Sequence, residues 1–482
     1  MQRVTSDRSW PLHDVAAIRR IEAAAAAALP PHTLMQRAGV AVARLALAIA
    51  PHARTAWVAC GPGNNGGDGF EAALHLRSWG KDVAVTWTGD EARLPADAHA
   101  ALQRARAGGV RFTEAAPPRA DLAIDALLGI GSRRPPEDAL LAQVQALNAL
   151  DAPVLAVDLP TGLDADSGRA HAHVRATLTL SLLALKPGLF TAQGRDAAGA
   201  VWLDALQVDA GAEPPSAWLA GPPSPQQRLH ASHKGSYGDV AVVGGAGGMA
   251  GAALLAGRAA LHHGAGRVFV GFLDPAAPAL DPAQPDLMVR PVQALDLAAM
   301  CVACGCGGGE AVPAVLPRAL HARALVLDAD ALNAVAADPQ LQAQLAARGR
   351  RGAPTVLTPH PLEAARLLAT GTAAVQDDRL AAARELARRF GSVVVLKGSG
   401  TVVAAPDGRC WINPTGNARL AVAGTGDVLA GMVAARLASG EDAPAAATAA
   451  VYLHGLAADR WTGDRPLTAA ALAGAAPTLP QG

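Results

Sequence analysis

The sequence predicts an α/β protein of two domains, each built on a largely parallel β-sheet covered by helices on both faces. In both halves of the chain, short apolar segments typical of buried strands alternate with segments of helical periodicity. A stretch rich in Pro, Ala and Gly, residues 209–229, has neither periodicity and separates the halves. The length of 482 residues also exceeds that of one typical domain. We therefore expect a first domain at 1–213, a linker at 214–228 and a second domain at 229–482.

The composition narrows the class of protein. Lys and Arg together number 41, as do Asp and Glu, and this formal net charge of zero argues against a nucleic-acid partner. No apolar stretch follows the first charged residues, so no signal peptide is predicted. No run of about 18 apolar residues predicts a transmembrane helix. Five cysteines do not suggest a disulfide framework. We expect a cytoplasmic protein without a membrane partner.

In the first half, residues 55–61 and 82–87 are predicted strands, and residues 70–79 are the helix between them. Two further apolar strands lead to Asp125 and Asp158. Open α/β sheets bind ligands beyond the carboxyl ends of their strands, so we expect both aspartates at a ligand-binding edge. Taken singly, each could instead cap a helix or form a turn.

A glycine-rich segment, which we interpret as a loop, follows the first of these strands. Gly61, Gly63 and Gly66 fit the dinucleotide fingerprint G-x-G-x-x-G, which makes a dehydrogenase the first hypothesis. Asp68 argues against it, because a carboxylate at the start of a helix would repel a pyrophosphate. The carboxylate suits a cation, a hydroxyl-rich ligand or a capping role. Amide oxygens from the neighbouring asparagines can also ligate a hard cation.

Several motifs of this half occur in order over some 200 residues, namely LMQRAG, GPGNNGGDGFEAALHL, DALLGIG and VDLPTGLDADSG. Together they resemble the NAD(P)H-hydrate epimerases, which bind a nicotinamide cofactor hydrated at carbon 6 of its ring. The resemblance implies a Rossmann-like, three-layer α/β/α domain. It implies that Asp158 is the acid/base group and that Asn65, Asp125 and Thr161 ligate K⁺. It also implies contacts to the hydrate from Asn64, Asn65, Gly66, Gly67, Asp68, Gly129, Ile130, Gly131, Ser132, Arg133, Arg134, Pro135 and Asp158.

In the second half, predicted strands within 238–245, 322–333, 353–361 and 391–400 repeat the pattern, with polar residues again at their ends. The segment CVACGCGGG, 301–309, has cysteines at the close spacing of metal ligands. A structural zinc site needs a fourth ligand, which the sequence does not place nearby. We interpret the segment as a buried strand that enters a glycine turn.

The turn GTGD precedes a predicted helix at 428–437. Its N–H groups suit phosphate oxygens, and Asp427 could act as a base or simply cap the helix. Lys397 follows a strand and could contact phosphate or be a surface lysine. His360, held between two prolines, could be a structural donor or face the ligand. No G-x-x-x-x-G-K-[ST] sequence occurs, so the nucleotide site is not a P-loop.

From about residue 232 onward, the motifs VAVVGGAGGMAG, LTPHPLEAARLL, LKGSGT and NPTGN…GTGDVLAG resemble the ADP/ATP-dependent NAD(P)H-hydrate dehydratases. The resemblance implies a ribokinase-like α/β domain. It implies that Ala252, Gly307, His360 and Asp427 face the hydrate, and that Asp427 is catalytic. The nucleotide would be bound by Lys397, Gly398, Ser399, Gly400, Thr401 and Gly426. The family usually has GPGLG where this chain has GCGGG at 305–309, which makes this turn more flexible.

The two resemblances imply a bifunctional repair enzyme. The first domain would interconvert the R and S hydrates of NADH and NADPH (NADHX and NADPHX), with K⁺ as cofactor. The second would dehydrate the S form, using Mg²⁺ and ADP or ATP as phosphate donor, with AMP as the product from ADP. A homo-oligomer, a tetramer or larger, is also expected by resemblance. The alternatives are a ribokinase-like small-molecule kinase with an N-terminal cofactor-binding domain, and a binding module without turnover.

Overall fold

The chain divides into two compact units. One comprises Met1–Thr5 and Trp10–Trp218, and the other comprises Ser6–Ser9 and Leu219–Gly482. The division falls inside the segment predicted as a linker. Within that segment Ala217–Leu219 forms a short strand, which the sequence did not predict.

The computed structural model describes residues 1–132, 134–211, 213–224 and 228–475. Arg133 of the predicted hydrate site and residues 225–227 of the predicted linker lie outside the described residues. The helices within the described ranges include none with the length and apolar character needed to cross a membrane.

Strands in the first part of the chain are short and apolar. They are β1 (Gln2–Arg3), β2 (Trp10–Leu12), β3 (Thr55–Cys60), β4 (Asp82–Trp87), β5 (Arg111–Thr113), β6 (Leu122–Ala126), β7 (Val154–Val157), β8 (Leu178–Leu182), β9 (Ala200–Asp204) and β10 (Ala217–Leu219). The sheet of the first unit has the order β1-β9-β8-β7-β6-β3-β4-β5. β1 is antiparallel to β9, and the other neighbouring pairs are parallel.

Helices cover this sheet. They are α1 (Val15–Ala28), α2 (Thr33–Ile49), α3 (Asn64–Ser78), α4 (Ala96–Ala107), α5 (Asp138–Ala149) and α6 (Gly194–Ala198). The central strands β6 and β7 are buried along their whole length. Because both faces of these strands meet apolar side chains, polar groups of the unit collect where the strands end.

Helix α3 begins six residues earlier than the sequence predicts, at Asn64 rather than at residue 70. The prediction of a loop over the glycine-rich segment was therefore wrong. The glycines lie inside the first turns of α3 because the helix packs very closely against its neighbours. A Cβ at Gly66 would lie 2.1 Å from the carbonyl oxygen of Gly61, and one at Gly69 would lie 2.7 Å from the Cys60 sulfur.

The second unit repeats the architecture. Its strands are β11 (Asp239–Gly244), β12 (Arg267–Phe272), β13 (Met288–Val289), β14 (Cys301–Cys304), β15 (Ala324–Leu327), β16 (Thr355–Leu357), β17 (Val393–Leu396), β18 (Val402–Ala404) and β19 (Cys410–Ile412). They lie in the order β13-β12-β11-β14-β15-β16-β17-β18-β19. The pairs from β13 to β17 are parallel, and β17-β18-β19 form antiparallel pairs. The predicted α/β class is thus confirmed in both units.

Many helices flank this second sheet. They are α7 (Ala250–His262), α8 (Val312–Ala319), α9 (Asp330–Ala337), α10 (Pro339–Arg350), α11 (Pro361–Leu368), α12 (Thr372–Asp377), α13 (Arg379–Phe390), α14 (Thr425–Ala438), α15 (Ala443–Asp459) and α16 (Ala469–Gly474). Helix α14 begins three residues before the predicted start, so Gly426 and Asp427 lie in its first turn. Side chains of α7, α14 and α15 pack with those of the sheet into one apolar core.

The position of Asp427 depends on close packing between α14 and α7. A Cβ at Gly431 would lie only 2.0 Å from the backbone oxygen of Ala256, so G431A forces the two helices apart. We expect this variant to lose about 1–3 kcal/mol of unfolding free energy. Differential scanning calorimetry would measure this loss of stability as a lower midpoint temperature of unfolding.

The matched control is G251A. Gly251 lies in α7 with open space around the position of its missing Cβ. This substitution should leave stability unchanged or raise it by at most about 1 kcal/mol through helix propensity. Equal midpoints for G431A and G251A would contradict the packing argument.

Candidate functional site

The first unit has a cleft of about 480 Å³ at the carboxyl ends of its strands. Its walls come from α1, α2, the first turn of α3, and the segments that follow β6 and β7. Of the predicted residues, those lining the cleft are Asn64, Asn65, Asp68, Gly129, Ile130, Gly131, Ser132 and Asp158.

Other predicted residues of this half lie away from the cleft wall. Gly66 and Gly67 are buried packing positions of α3, and a Cβ at Gly67 would lie 2.6 Å from the Met35 side chain. Arg134 and Pro135 are exposed. Arg133 lies outside the described residues.

Asp158 is paired with a buried lysine. The Lys186 ammonium group contacts Asp158 Oδ1, and the lysine itself is fully buried. Its Nζ also donates to Ser181 Oγ at 3.1 Å and to the Leu182 carbonyl oxygen at 2.9 Å. The Leu182 N–H donates to the same Asp158 oxygen at 3.1 Å. These contacts orient the carboxylate toward the cleft and supply it with a proton donor.

The backbone at Asp158 is left-handed, with φ of +70°. This conformation is uncommon for a residue other than glycine and costs free energy, so the surrounding structure must impose it. The Asp158 N–H donates to the Leu180 carbonyl oxygen at 2.8 Å, which fixes the residue directly beyond β7. A strained acidic residue at a cleft is typical of a functional site.

Three more carboxyl groups line the cleft, those of Asp68, Glu22 and Asp97. Burial, followed by the charges of Asp158 and Glu22, raises the pKa of Asp68 well above its usual range. Burial, followed by the charge of Asp158, raises the pKa of Glu22. Within the described part of the chain, no hydrogen bond or ion pair reaches the Asp68 carboxylate. Asp68 and Glu22 can therefore carry protons at a pH where exposed carboxylates are ionised.

Asp125 and Thr161 form a buried pair below the cleft. Thr161 Oγ1 donates to Asp125 Oδ1 at 2.7 Å, and the Thr161 N–H donates to Oδ2 at 2.8 Å. Burial raises the pKa of Asp125 to about 6, although these hydrogen bonds oppose the shift. Asn65 Nδ2 is buried and has no hydrogen-bond partner in the described residues. Because the two ends of an amide are assigned and not observed, its oxygen could equally occupy that position.

In the second unit, a partly buried lysine meets buried carboxylates at the strand ends. Lys397 follows β17, and its Nζ donates to Asp328 Oδ1 at 2.6 Å and lies 3.9 Å from Glu363 Oε2. Thr358 Oγ1 donates to the same Asp328 oxygen at 2.7 Å. Although burial lowers the pKa of Lys397, the charges of Asp328 and Glu363 outweigh it, and the net shift is upward. The lysine therefore stays charged, and the interpretation of Lys397 as a surface lysine is wrong.

Asp427 lies beside this pair. Burial, followed by the charge of Asp328, raises the pKa of Asp427 to about 6. Gly426 lies close to the same lysine, since a Cβ at this position would be 3.3 Å from Lys397 Nζ. A partly buried carboxylate with a pKa near 6, at the start of a helix, has the properties of a general base.

His360 caps α11. Its Nδ1 accepts from the N–H groups of Leu362 and Glu363, at 3.1 and 3.3 Å. Its Nε2 lies 3.1 Å from Glu363 Oε1. The imidazole thus has a structural role, while its half-exposed ring remains at the ligand edge of the sheet. Glu363 joins it to Lys397.

The predicted nucleotide segment forms the turn between β17 and β18. Gly398 and Gly400 have positive φ, and Thr401 Oγ1 donates to the Gly398 carbonyl oxygen at 3.0 Å. Arg379, almost fully buried, donates to the carbonyl oxygens of Leu396 and Lys397, each at 3.1 Å. Arg379 therefore fixes the backbone from which Lys397 extends. Ser399 lies exposed on this turn.

Ala252 and Gly307 lie against each other. A Cβ at Gly307 would lie 2.8 Å from the Ala252 Cβ, and the φ of Gly307 is +58°. The turn is joined to the loop after β11, since the Ala246 N–H donates to the Gly307 carbonyl oxygen at 2.7 Å. The four described cysteines of this half are buried thiols, and Cys301 and Cys304 lie in the buried strand that the sequence predicts.

Sequence reasoning missed Lys186, Glu22, Glu363 and Arg379. A lysine inside the apolar stretch LSLLALKPGLF was a signal for Lys186, because lysine is rarely placed in such a stretch unless it is paired. Glu363 follows His360 at the spacing of a capping box. Nothing in the local sequence marks Glu22 or Arg379.

Comparisons with known proteins match both halves. The family model described as NAD(P)H-hydrate dehydratase matches residues 240–478, and the model described as YjeF-related protein N-terminus matches residues 31–188. A bifunctional NAD(P)H-hydrate repair enzyme of Escherichia coli is 38% identical over 91% of this chain and 87% of its own length. The chain belongs to the bifunctional NAD(P)H-hydrate repair enzymes.

Other relatives match only about half of this chain. The ADP-dependent (S)-NAD(P)H-hydrate dehydratase of Neisseria meningitidis is 44% identical over 51% of this chain and 85% of its own length. A solved structure, the ADP/ATP-dependent NAD(P)H-hydrate dehydratase of Bacillus subtilis co-crystallised with ATP and Mg²⁺, is 34% identical. The match covers 52% of this chain and 91% of the solved chain, with a TM-score of 0.44.

The buried Glu363 makes stability depend on pH. Burial raises the pKa of Glu363 from 4.5 to about 7, so the folded state holds this proton more tightly than the unfolded chain. The contribution of protonated Glu363 to the unfolding free energy is complete below pH 4.5 and is lost as the pH rises toward 7. We expect E363Q to gain stability relative to wild type over this range, by an amount on the order of 2 kcal/mol. Urea unfolding at several pH values measures the difference.

The control is E385Q, at an exposed glutamate of α13. Because this side chain is exposed, the substitution should change the unfolding free energy by no more than about 0.5 kcal/mol. If the E363Q and E385Q differences followed the same pH dependence, Glu363 would not hold its proton in the folded state.

Proposed function

We propose that this chain repairs hydrated nicotinamide cofactors by two activities. Its first unit interconverts the R and S forms of NADHX and NADPHX. Its second unit dehydrates the S form to NADH or NADPH, coupled to conversion of ADP to AMP and phosphate. The observation that carries this proposal is that each unit holds a lysine, fully buried in the first and partly buried in the second, against carboxylates at the ligand edge of its sheet.

The proposed boundaries follow the predicted ones, with the epimerase domain at 1–213 and the ribokinase-like dehydratase domain at 229–482. In the first, contacts to the hydrate are proposed from 64–68 and 129–135. In the second, Ala252, Gly307 and His360 would face the hydrate, and Lys397–Thr401 with Gly426 would bind the nucleotide.

In the epimerase unit, exchange of configuration at carbon 6 requires that a bond to this carbon be broken and remade. The ring nitrogen beside it favours this step, and a group that delivers and removes a proton is needed at the hydroxyl. Asp158 is proposed for that role, because Lys186 and the Leu182 N–H both contact its Oδ1, and Oδ2 can then face the ligand. The buried Lys186 keeps the carboxylate oriented and balances its charge.

Asn65, Asp125 and Thr161 are proposed to hold K⁺. Carboxylate, amide and hydroxyl or carbonyl oxygens suit a hard cation, and the buried Asn65 amide lacks a partner among the described residues. The fully buried Asp125 has no cationic partner in the described ranges to offset its charge. When bound, the ion would supply that positive charge beneath the cleft.

In the dehydratase unit, the ring hydroxyl must first become a better leaving group. Asp427 would take the hydroxyl proton while the oxygen attacks the terminal phosphorus of ADP, and AMP leaves with the bridging oxygen. Magnesium arrives as the nucleotide complex. N–H groups at the start of α14 and the Lys397 ammonium would stabilise the transferring phosphoryl group. Phosphate then leaves carbon 6 and a proton leaves the adjacent ring carbon, which restores the cofactor.

A repair assay tests the proposal as a whole. Purified protein receives a mixture of R and S NADHX with Mg²⁺ and K⁺, and either ADP or ATP, and the reduced-nicotinamide absorbance is followed. We expect the whole mixture to be restored with ADP. Recovery of the S fraction alone would remove the epimerase activity from the proposal. No recovery with either nucleotide would favour the ribokinase-like kinase.

Paired variants separate the two activities. D158N should lower isomer exchange by about 10²–10⁴-fold and leave repair of pure S hydrate intact. D427N should lower dehydration by a similar factor and leave exchange intact. Each variant is thus the folding control for the other. Loss of both activities in either variant would mean that the substitution acts through the fold and not through proton transfer.

We also propose that the chain forms a homo-oligomer of four or more copies, which light scattering after size exclusion would measure. The cytoplasmic location stays a prediction.

A further inference from the structure

Helix α1 forms one wall of the cleft in the first unit, although the motifs that carry the family resemblance imply no contact from it. The residues of α1 that line the cleft are Ile18, Arg19, Glu22 and Ala26. Their spacing of three and four residues places them on one face of the helix. Because Arg19 is exposed, α1 brings a cationic group to the mouth of the cleft.

The charges of the cleft wall are unevenly distributed. Its four carboxyl groups belong to Glu22, Asp68, Asp97 and Asp158. Among the described residues that line the cleft, Arg19 is the only lysine or arginine. Two of the carboxylates already have a basic partner, since Lys186 contacts Asp158 and His32 Nδ1 lies 2.5 Å from Asp97 Oδ1. The interior of the cleft is therefore acidic, and its basic group lies at the exposed rim.

The guanidinium group of Arg19 is free to bind a ligand. In the part of the chain that the structure describes, no hydrogen bond or ion pair reaches it, not even from Glu22 one turn away. The next residue differs, because Arg20 Nε and Nη2 donate to Glu213 Oε1 at 3.1 and 2.5 Å. Consecutive residues of a helix point about 100° apart, so Arg20 faces another groove, which Glu213 also lines.

The hydrate has groups that match both ends of this charge distribution. Its hydrated ring is neutral and offers a hydroxyl and a carboxamide, which carboxyl groups can bind through hydrogen bonds. Its pyrophosphate is negatively charged and would be repelled by the same carboxyl groups. A guanidinium group suits phosphate, because its paired N–H groups donate to two oxygens at once. The charges of the cleft thus favour one orientation of the ligand.

We propose that Arg19 binds a phosphate group of the hydrate and thereby orients the dinucleotide in the first unit, with the hydrated ring toward Asp158. The inference rests on the proposed epimerase function and names the residue that recognises the charge of its substrate. Since Arg19 touches no reacting atom, its loss should weaken binding of the hydrate without slowing proton transfer at the ring.

The test measures kcat and KM for isomer exchange, starting from pure R hydrate with K⁺ and without ADP, so that the second unit does not consume the product. Wild type, R19A, R19K and R20A are compared with both NADHX and NADPHX. In R19A, KM should rise about 10–100-fold, the effect of one hydrogen-bonded contact between charged groups, and kcat should stay within about twofold. R19K keeps the charge and should recover most of the affinity.

R20A is the matched control, because Arg20 carries the same charge on the same helix but is paired outside the cleft. Its kcat and KM should both stay within about twofold of wild type. Dehydration of pure S hydrate with MgADP should be unchanged in R19A and R20A, which would show that the second unit is intact. Added salt should raise the KM of wild type more than that of R19A, because salt screens the attraction between guanidinium and phosphate.

A KM of R19A within about twofold of wild type would overturn the proposal. A lower kcat at unchanged KM, or an equal rise of KM in R20A, would overturn it as well. A rise of KM with both hydrates supports it and assigns the contact to the pyrophosphate, whereas a rise with NADPHX alone supports it and assigns the contact to the 2′-phosphate. Failure of the proposed function is distinguishable, because wild type itself would then exchange the isomers of neither hydrate.

Discussion

Both sheets are covered by apolar side chains on both faces, and this constraint decides where charge can lie. Strands such as β6, β7, β14, β15 and β17 are buried from end to end. Charged groups are costly in such an environment, so they collect where the strands stop. Parallel strands end at the same edge, and polar residues that are far apart in the chain therefore meet there.

A consequence of this arrangement is that buried charges must be paired with opposite charges or hydrogen-bonding groups. Lys186 and Lys397 would each be strongly destabilising alone, and each instead meets carboxylates and carbonyl or hydroxyl oxygens. Such pairs contribute little net stability, but they hold their members in one geometry. Asp158 and Asp427 consequently have fixed neighbours before any ligand arrives, which is the preorganisation that proton transfer requires.

Close packing at glycine positions is the second feature that positions the charged side chains. Gly66 lets the first turn of α3 lie against the end of β3, and Gly431 lets α14 lie against α7. Both helices thereby direct their amino-terminal N–H groups and an acidic residue toward the ligand edge. Asp68 and Asp427 each lie near the start of one of these helices, and the pKa of each is raised first by burial.

The sequence by itself determined the α/β class, the positions of central strands such as β3, β4, β6 and β7, and the motifs that carry the family resemblance, because apolar strand segments and glycine-rich turns are local patterns. It also predicts Asp158, Asp427 and Lys397 as site residues. Only the tertiary structure decided that Lys186 meets Asp158, that Glu363 joins His360 to Lys397, and that α3 begins at Asn64. These features depend on strand register and on contacts between segments distant in the chain. No local pattern encodes them. A glycine-rich segment is typical of a loop, and only its close contact with a neighbouring backbone explains why it forms a helix here.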